Sequence, residues 1–260
     1  MGRKKRIKQI KNKIKKEFTM NIMNYTIFTE SLENVDLKKR QIINTINPHS
    51  YVTAKEDNKF HRALCASDIL IPDGSGIVLA AKQLNKKDIK KIAGYNLHTF
   101  LLEKMNERGG RVFYMGASEK TLSQIERKLK KEYPHVIVDS YSPPFKDKFS
   151  ERENSLIINK INNFNPDVLF VGMTAPKQEK WLYEHQEELK FTIASPIGAV
   201  FDFYADRIPR PSIFWIDLHL EWLIRLVAEP KRLWKRNFIS APKFLFDIFL
   251  YKINYNQKLI

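Results

Sequence analysis

The chain has 260 residues, enough for one α/β domain with an appendage and too few for two full nucleotide-binding domains. Hydrophobic residues at 43%, with 4 Trp, 17 Phe and 10 Tyr, exclude global disorder, and the single cysteine, Cys65, excludes an intramolecular disulfide or a Cys-based zinc site and fits a reducing, cytoplasmic setting. The net charge of +16 sits at the ends, with +9 in residues 1–16 and +6 in residues 230–260, and this suits attachment to an anionic surface better than a basic stripe across nucleic acid.

Residues 1–20 read as a basic extension. Ile7, Ile10, Ile14 and Phe18 recur at spacings of three and four among lysines, the outline of an amphipathic helix, although a solvated tail reads the same way. No contiguous apolar run follows these charges as a secretory signal needs. From there strand and helix patterns alternate. Apolar, β-branched runs predict strands at Gln41–Asn47, Asp68–Pro72, Arg111–Gly116, His135–Asp139, Asp167–Met173 and Phe191–Gly198. Helical spacing predicts helices at Ala54–Ser67, Ile77–Leu84, Leu97–Arg108, Glu119–Tyr133, Arg152–Phe164 and Lys177–Leu189. The alternation predicts a Rossmann-like α/β domain over 21–202, a mostly parallel sheet flanked by helices, with its ligands beyond the carboxyl ends of the strands.

Past Asp202, prolines 209, 211, 230 and 242 punctuate aromatic-rich helical stretches, so 203–260 reads as a helical appendage beside the membrane. Its last helix carries Phe244, Leu245, Ile248, Phe249 and Ile253 along one side. That side either packs on the domain or meets a bilayer interface. No segment reaches the roughly 20 apolar residues that span a bilayer.

Three strand-to-helix loops can carry chemistry. Pro72-Asp73-Gly74-Ser75-Gly76 offers glycines for close backbone approach and one acid, Asp73, as a general base; Asp before Gly is also an ordinary turn or cap former. Gly116-Ala117-Ser118 is a second turn able to cradle a nucleotide, yet no G-x-G-x-x-G or G-x-x-x-x-G-K-[ST] pattern occurs, which disfavours kinases, GTPases and ordinary dehydrogenases. In the third, Lys177, Gln178 and Glu179 set a cation, an amide and a carboxylate at one helix start, where they can hold phosphate, base edge and ribose, or form a solvated face. The six histidines show no metal-ligand spacing and no D-x-D triplet exists, so no metal and no cofactor is expected. Arg225, Arg232 and Arg236 are candidates for a phosphate clamp, with Arg225 equally a partner of Glu221 or Glu229 on a helix surface.

These blocks, with Ala93-Gly94-Tyr95, Val171-Gly172-Met173-Thr174-Ala175-Pro176-Lys177-Gln178-Glu179-Lys180-Trp181, Gly198-Ala199-Val200-Phe201-Asp202 and Leu220-Glu221-Trp222-Leu223-Ile224-Arg225-Leu226 before Glu229-Pro230-Lys231-Arg232, resemble the WecG/TagA/CpsF glycosyltransferases, glycosyltransferase family 26. The resemblance covers roughly residues 25–240 in the family's order. It implies an inverting, metal-independent transfer of a sugar, N-acetylmannosamine or its uronic acid, from a UDP-sugar donor to a polyprenyl-diphosphate-linked N-acetylglucosamine, for a capsule, teichoic-acid or envelope glycan. By the same match Asp73 is the catalytic base and Thr45 its companion in the catalytic set, Thr45 and Asn47 lie beside the acceptor or sugar pocket, and Arg225, Arg232 and Arg236 meet the lipid-linked diphosphate. The expected place is the inner face of a bacterial plasma membrane, as a peripheral protein on anionic lipid. The sequence leaves a homo-oligomer open. Lys91, Asn96, Asp206 and His219 depart from the family's pattern and bear on the choice of sugar and acceptor. A basic nucleic-acid-binding protein on a Rossmann-like core is the competing class. A methyltransferase is disfavoured because the first strand ends in Thr45-Ile46-Asn47-Pro48 and not in a glycine-rich loop.

Overall fold

The computed structural model describes residues 18–207, 223, 226, 227 and 230–257. A two-stranded antiparallel hairpin, β1 (Thr19–Ile22) and β2 (Tyr25–Phe28), comes first. Its two-residue turn, Met23 at φ 49° and Asn24 at φ 71°, has the left-handed geometry that follows strand twist. The sequence reading missed this hairpin because no glycine marks the turn, and β1 takes in two residues assigned to the N-terminal extension. The rest of that extension, with Ile7, Ile10 and Ile14, lies outside the described residues.

All six predicted strands form. They are β3 (Gln41–Ile46), β4 (Ile69–Pro72), β5 (Arg111–Gly116), β6 (Ile137–Tyr141), β7 (Val168–Gly172) and β8 (Ile193–Pro196), in one parallel sheet of order β4-β3-β8-β7-β5-β6. The apolar runs are continuous because both faces are covered. Alternate residues face opposite ways: Val112, Tyr114, Val168 and Phe170 pack with Leu101, Leu122 and Phe201 on one side. Phe113, Met115, Leu169 and Val171 pack with Ile157, Ile161, Trp181 and Leu182 on the other.

The connecting helices are α1 (Pro48–Glu56), α2 (Asn58–Cys65), α3 (Ser75–Asn85), α4 (Gly94–Arg108), α5 (Glu119–Glu132), α6 (Glu151–Phe164), α7 (Lys177–His185) and α8 (Gly198–Tyr204). The single helix predicted at Ala54–Ser67 is two. Asn47 caps α1 by accepting from the His49 and Ser50 backbone N–H groups, with Pro48 at the first position, and Asp57 breaks the chain and caps α2 through Lys59 and Phe60. Inside α4, His98 is fully buried against Tyr114, Phe170 and Tyr204, bonded at 2.7 Å to the Tyr114 hydroxyl, and burial pushes its pKa down to about 3. It is a packing histidine.

The domain boundary expected at 202/203 falls inside α8, whose Val200, Phe201 and Tyr204 belong to the main core. Farther on, α9 (Pro230–Lys235) passes through one π-helical turn, Arg236–Ser240, into α10 (Ala241–Gln257). Phe244 and Ile248 of α10 are buried in a cluster with Tyr51, Ile77 and Ala80, and Phe244 meets the Tyr51 ring edge-on at 5.1 Å. Lys55 to Asp247 at 2.7 Å and Tyr251 to Asn24 at 2.6 Å rim this contact. Leu245, Phe246, Phe249, Leu250 and Ile253 point outward, as do Trp234, Phe238 and Ile239. The side read from sequence is thus divided: Phe244 and Ile248 pack on the domain, and Leu245, Phe249 and Ile253 stay exposed. Among the described residues, no helix is long and apolar enough to cross a membrane.

Candidate active site

The loops that leave the carboxyl ends of the strands stand along one edge in the order Asp73-Gly74, Asn47-Pro48, Ile197-Gly198, Met173 to Gln178, and Gly116-Ala117. Neighbouring strands lie about 4.8 Å apart, so Asp73 and Gly116, four strand steps apart, are separated by about 19 Å along this edge. The predicted site residues therefore form two groups.

The first group gathers at β3 and β4. The Asp73 N–H donates to the Ile46 carbonyl at 2.8 Å, which fixes the start of the Asp73 loop against the end of β3. Thr45 is in register with Ile71, two residues before Asp73, and is half-buried. Asp73 is also half-buried, inside the rim of the edge. Gly74 takes φ +92°, which a side chain rarely adopts, and a Cβ there would lie 3.9 Å from both Asn47 Cβ and Pro48 Cδ. Gly76 serves packing instead, since its Cβ would come within 2.4 Å of Pro48 Cγ and 3.4 Å of the Phe244 ring, so its smallness seats α3 against α1 and α10. Asn47 commits its side-chain oxygen to capping α1, a role that does not use the amide NH₂ donors.

The C-terminal segment reaches this group. His49 Nδ1 lies 2.8 Å from Ser240 Oγ in the π-helical turn. Burial first, then the charges of Arg236 and Lys235, hold the His49 pKa below its ordinary value, which favours the neutral imidazole beside two cations. Of the three candidate arginines, Arg236 is thereby brought near His49 in the first turn of α1. Arg225 lies outside the described residues, as does the side chain of Arg232. The sequence reading passed over His49, Ser240 and Lys235. Asn-Pro-His carried a usable signal, because an Asn cap followed by Pro sets the next residue on an exposed first helical turn.

The second group is a tight backbone junction. Gly116 takes φ +118°, and a Cβ on it would sit 2.2 Å from the Gly172 carbonyl oxygen, which also accepts from the Ala117 N–H at 2.9 Å. A Cβ on Gly172 would strike the Phe201 ring at 2.3 Å, and one on Gly198 would lie 2.2 Å from the Met173 carbonyl oxygen. Lys177, Gln178 and Glu179 diverge from one another. The Lys177 ammonium bonds the Lys146 carbonyl and stands 4.0 Å over the Phe149 ring, and burial pulls its pKa down. Gln178 Oε1 accepts from the Met173 N–H at 3.2 Å and the Gly198 N–H at 3.0 Å, a strap across the ends of β7 and β8. Glu179 turns inward and is buried. The next residue, Lys180, pairs with Asp57 at 2.8 Å. The departures also have places: Asn96 accepts from the Ala93 N–H at the start of α4, and Asp206 pairs with Lys128 at 2.8 Å on the surface. Among the described residues, no three His, Cys, Asp or Glu side chains cluster to hold a metal ion.

The sequence model of the Glycosyl transferase WecG/TagA/CpsF family matches residues 17–258. The chain is 32% identical over 223 residues, 85% of its length and 84% of the relative's, to an N-acetylglucosaminyldiphosphoundecaprenol N-acetyl-beta-D-mannosaminyltransferase of Bacillus spizizenii. Proteins of the same name from Bacillus subtilis and Staphylococcus aureus are 30% and 26% identical, over 86% and 78% of both chains in each pair.

Proposed function

Because the chain belongs to the WecG/TagA/CpsF glycosyl transferase family, we propose that it moves N-acetylmannosamine, or its uronic acid, from a UDP-sugar to a polyprenyl-diphosphate-linked N-acetylglucosamine. The observation that carries the mechanism is the half-buried Asp73 at the end of β4, tied to β3 beside Thr45 and Asn47. Asp73 takes the proton of the acceptor hydroxyl, whose oxygen bonds to the anomeric carbon as the bond from that carbon to UDP breaks. Attack opposite the leaving group inverts the centre, and one positioned carboxylate is sufficient base for it. Thr45 and the Asn47 amide orient the sugar. UDP extends from the reacting centre at Asp73 along the edge, its diphosphate toward the β8 and β7 loops, where Lys177 and backbone N–H groups offset its charge, and its uridine toward the Gly116-Ala117 junction. No D-x-D triplet exists in the sequence, so this reading assigns that charge to the protein's own cations and not to a metal.

The acceptor's diphosphate lies at Arg236, with Arg225 and Arg232 as its further ligands. The uncovered faces of α9 and α10, with Trp234, Phe246, Phe249 and Ile253 exposed among Lys235, Lys243 and Lys252, support docking on an anionic bilayer at the cytoplasmic surface. The test is UDP release from a panel of UDP-sugars with a short polyprenyl-diphosphate N-acetylglucosamine in anionic vesicles. Acceptor-dependent turnover that disappears in Asp73→Asn is expected, and vesicle binding is expected to drop in the Phe246→Glu, Phe249→Glu double variant. Turnover that persists undiminished in Asp73→Asn overturns the assigned base, and equal vesicle binding by the double variant overturns the docking face.

A further inference from the structure

Glu179 is 6% exposed and lies in no part of the mechanism above. Its Oε1 accepts from Gln178 Nε2 at 2.9 Å, and its Oε2 is buried without a hydrogen-bond partner. A second orphan acceptor is Asn44 Oδ1 on β3. The orientation of that amide is set from behind, since Asn44 Nδ2 donates to Ser67 Oγ at 2.7 Å and Ser67 Oγ passes its own proton to the Leu64 carbonyl at 2.7 Å. Asn44 and Glu179 line the same gap between β3, α2 and α7, closed by Ile42, Ala63, Leu182 and Tyr183, with no room for a water molecule. Two unpartnered acceptors that line one gap repel unless a proton lies between them, and of these two groups the carboxyl is the one that can carry it.

We propose that Glu179 is a neutral carboxylic acid that donates its Oε2 proton to Asn44 Oδ1, and that this pair is the positioning element that holds Gln178 across the ends of β7 and β8. The chain of bonds is continuous: Asn44 fixes Glu179, Glu179 Oε1 fixes the Gln178 amide, and Gln178 Oε1 holds the Met173 and Gly198 N–H groups. Glu179 is thereby a positioning residue acting through Gln178, and it touches no substrate. Burial pushes its pKa from 4.5 up to about 7. Of Lys177, Lys180 and Glu184 on its own helix, Lys180 acts the other way and is paired with Asp57 of the α1–α2 break; Tyr183 is the titratable side chain that shares the gap, and the β3 and α2 residues that line it carry no charge.

The sign of the pH effect follows. Between about 4.5 and about 7 the unfolded chain has lost the Glu179 proton and the folded chain keeps it, so stability falls as pH rises across that window and levels above it. The experiment is thermal unfolding of the full chain against pH, for the wild type and Glu179→Gln, whose amide keeps both bonds without a titrating proton. The Tm of the wild type is expected to fall from pH 5 to pH 8 relative to that of Glu179→Gln, which matches it at the acid end. Infrared difference spectra are expected to contain a protonated carboxyl band near neutral pH that vanishes in the variant. Parallel pH profiles, or an ionised carboxylate at pH 5.5, overturn the proposal. The inference rests on the transferase reading only for a third readout: KM for the UDP-sugar is expected to stay within roughly twofold in Glu179→Gln, and a roughly tenfold rise with unchanged Tm would return Glu179 to ribose binding. Loss of the transferase reading leaves the first two readouts intact.

Discussion

The two ends of the sheet's carboxyl edge are built from the same material, a strand running into a glycine turn and a helix, and they use it differently. At β5, β7 and β8 the glycines exist because backbone meets backbone or ring: Gly116 on the Gly172 carbonyl, Gly172 on Phe201, Gly198 on Met173. At β3 and β4 the glycine at the turn, Gly74, has only ordinary contacts with Asn47 and Pro48, and polar side chains stand half-buried around it. The same φ > 0 device thus locks one end and leaves the other open to a ligand. The difference supports the proposed placement of the reacting groups at the β3 and β4 end, where Thr45, Asn47 and Asp73 are half-buried.

The largest test of that contrast is Asp73→Asn, which removes a proton acceptor but keeps shape. Turnover is expected to fall roughly a hundred- to ten-thousand-fold with Tm almost unchanged. Gly116→Ala is the reverse case. A Cβ 2.2 Å from a carbonyl oxygen at φ +118° is expected to cost about 3 kcal/mol and lower Tm by roughly 5–10 °C. Gly74→Ala shares the positive φ without the clash, and about 1 kcal/mol is expected. Equal costs at Gly74 and Gly116 in denaturant unfolding would erase the distinction between the two ends.

The strands were legible because buried parallel strands are continuous apolar runs, and all six appeared within two residues of most predicted ends. The α1 start is marked by its Asn47-Pro48 cap and not by amphipathic spacing, which shows a helix only from Ala54 on. The hairpin at Thr19–Phe28 was hidden by a turn built from Met23 and Asn24. Site residues were found as types in loops, and their divergence was invisible: nothing in Lys-Gln-Glu states that the cation leans onto Phe149, the amide straps two strands and the acid enters the core. That outcome is decided by which partner each side chain meets from another part of the chain. Arg236 was reachable from sequence as a charge, but its approach to His49 depends on the π-helical turn and on Phe244 filling the gap beside Tyr51.

The smallest effect is at Asn47, where capping and ligand binding share one amide. Its oxygen accepts from two backbone N–H groups at 3.0 Å, and Asn47→Ala is expected to cost about 1 kcal/mol of stability, read as a shifted urea midpoint. Asn47→Asp keeps the acceptor and the cap, and its stability is expected to stay within a few tenths of a kcal/mol of the wild type. What Asp cannot keep is the NH₂ donor. If that donor orients the sugar, Asn47→Asp remains as stable as the wild type while its kcat/KM for the UDP-sugar drops roughly tenfold. A variant equal to the wild type in both respects makes Asn47 a helix cap alone, and the open end of the edge then rests on Asp73 and Thr45.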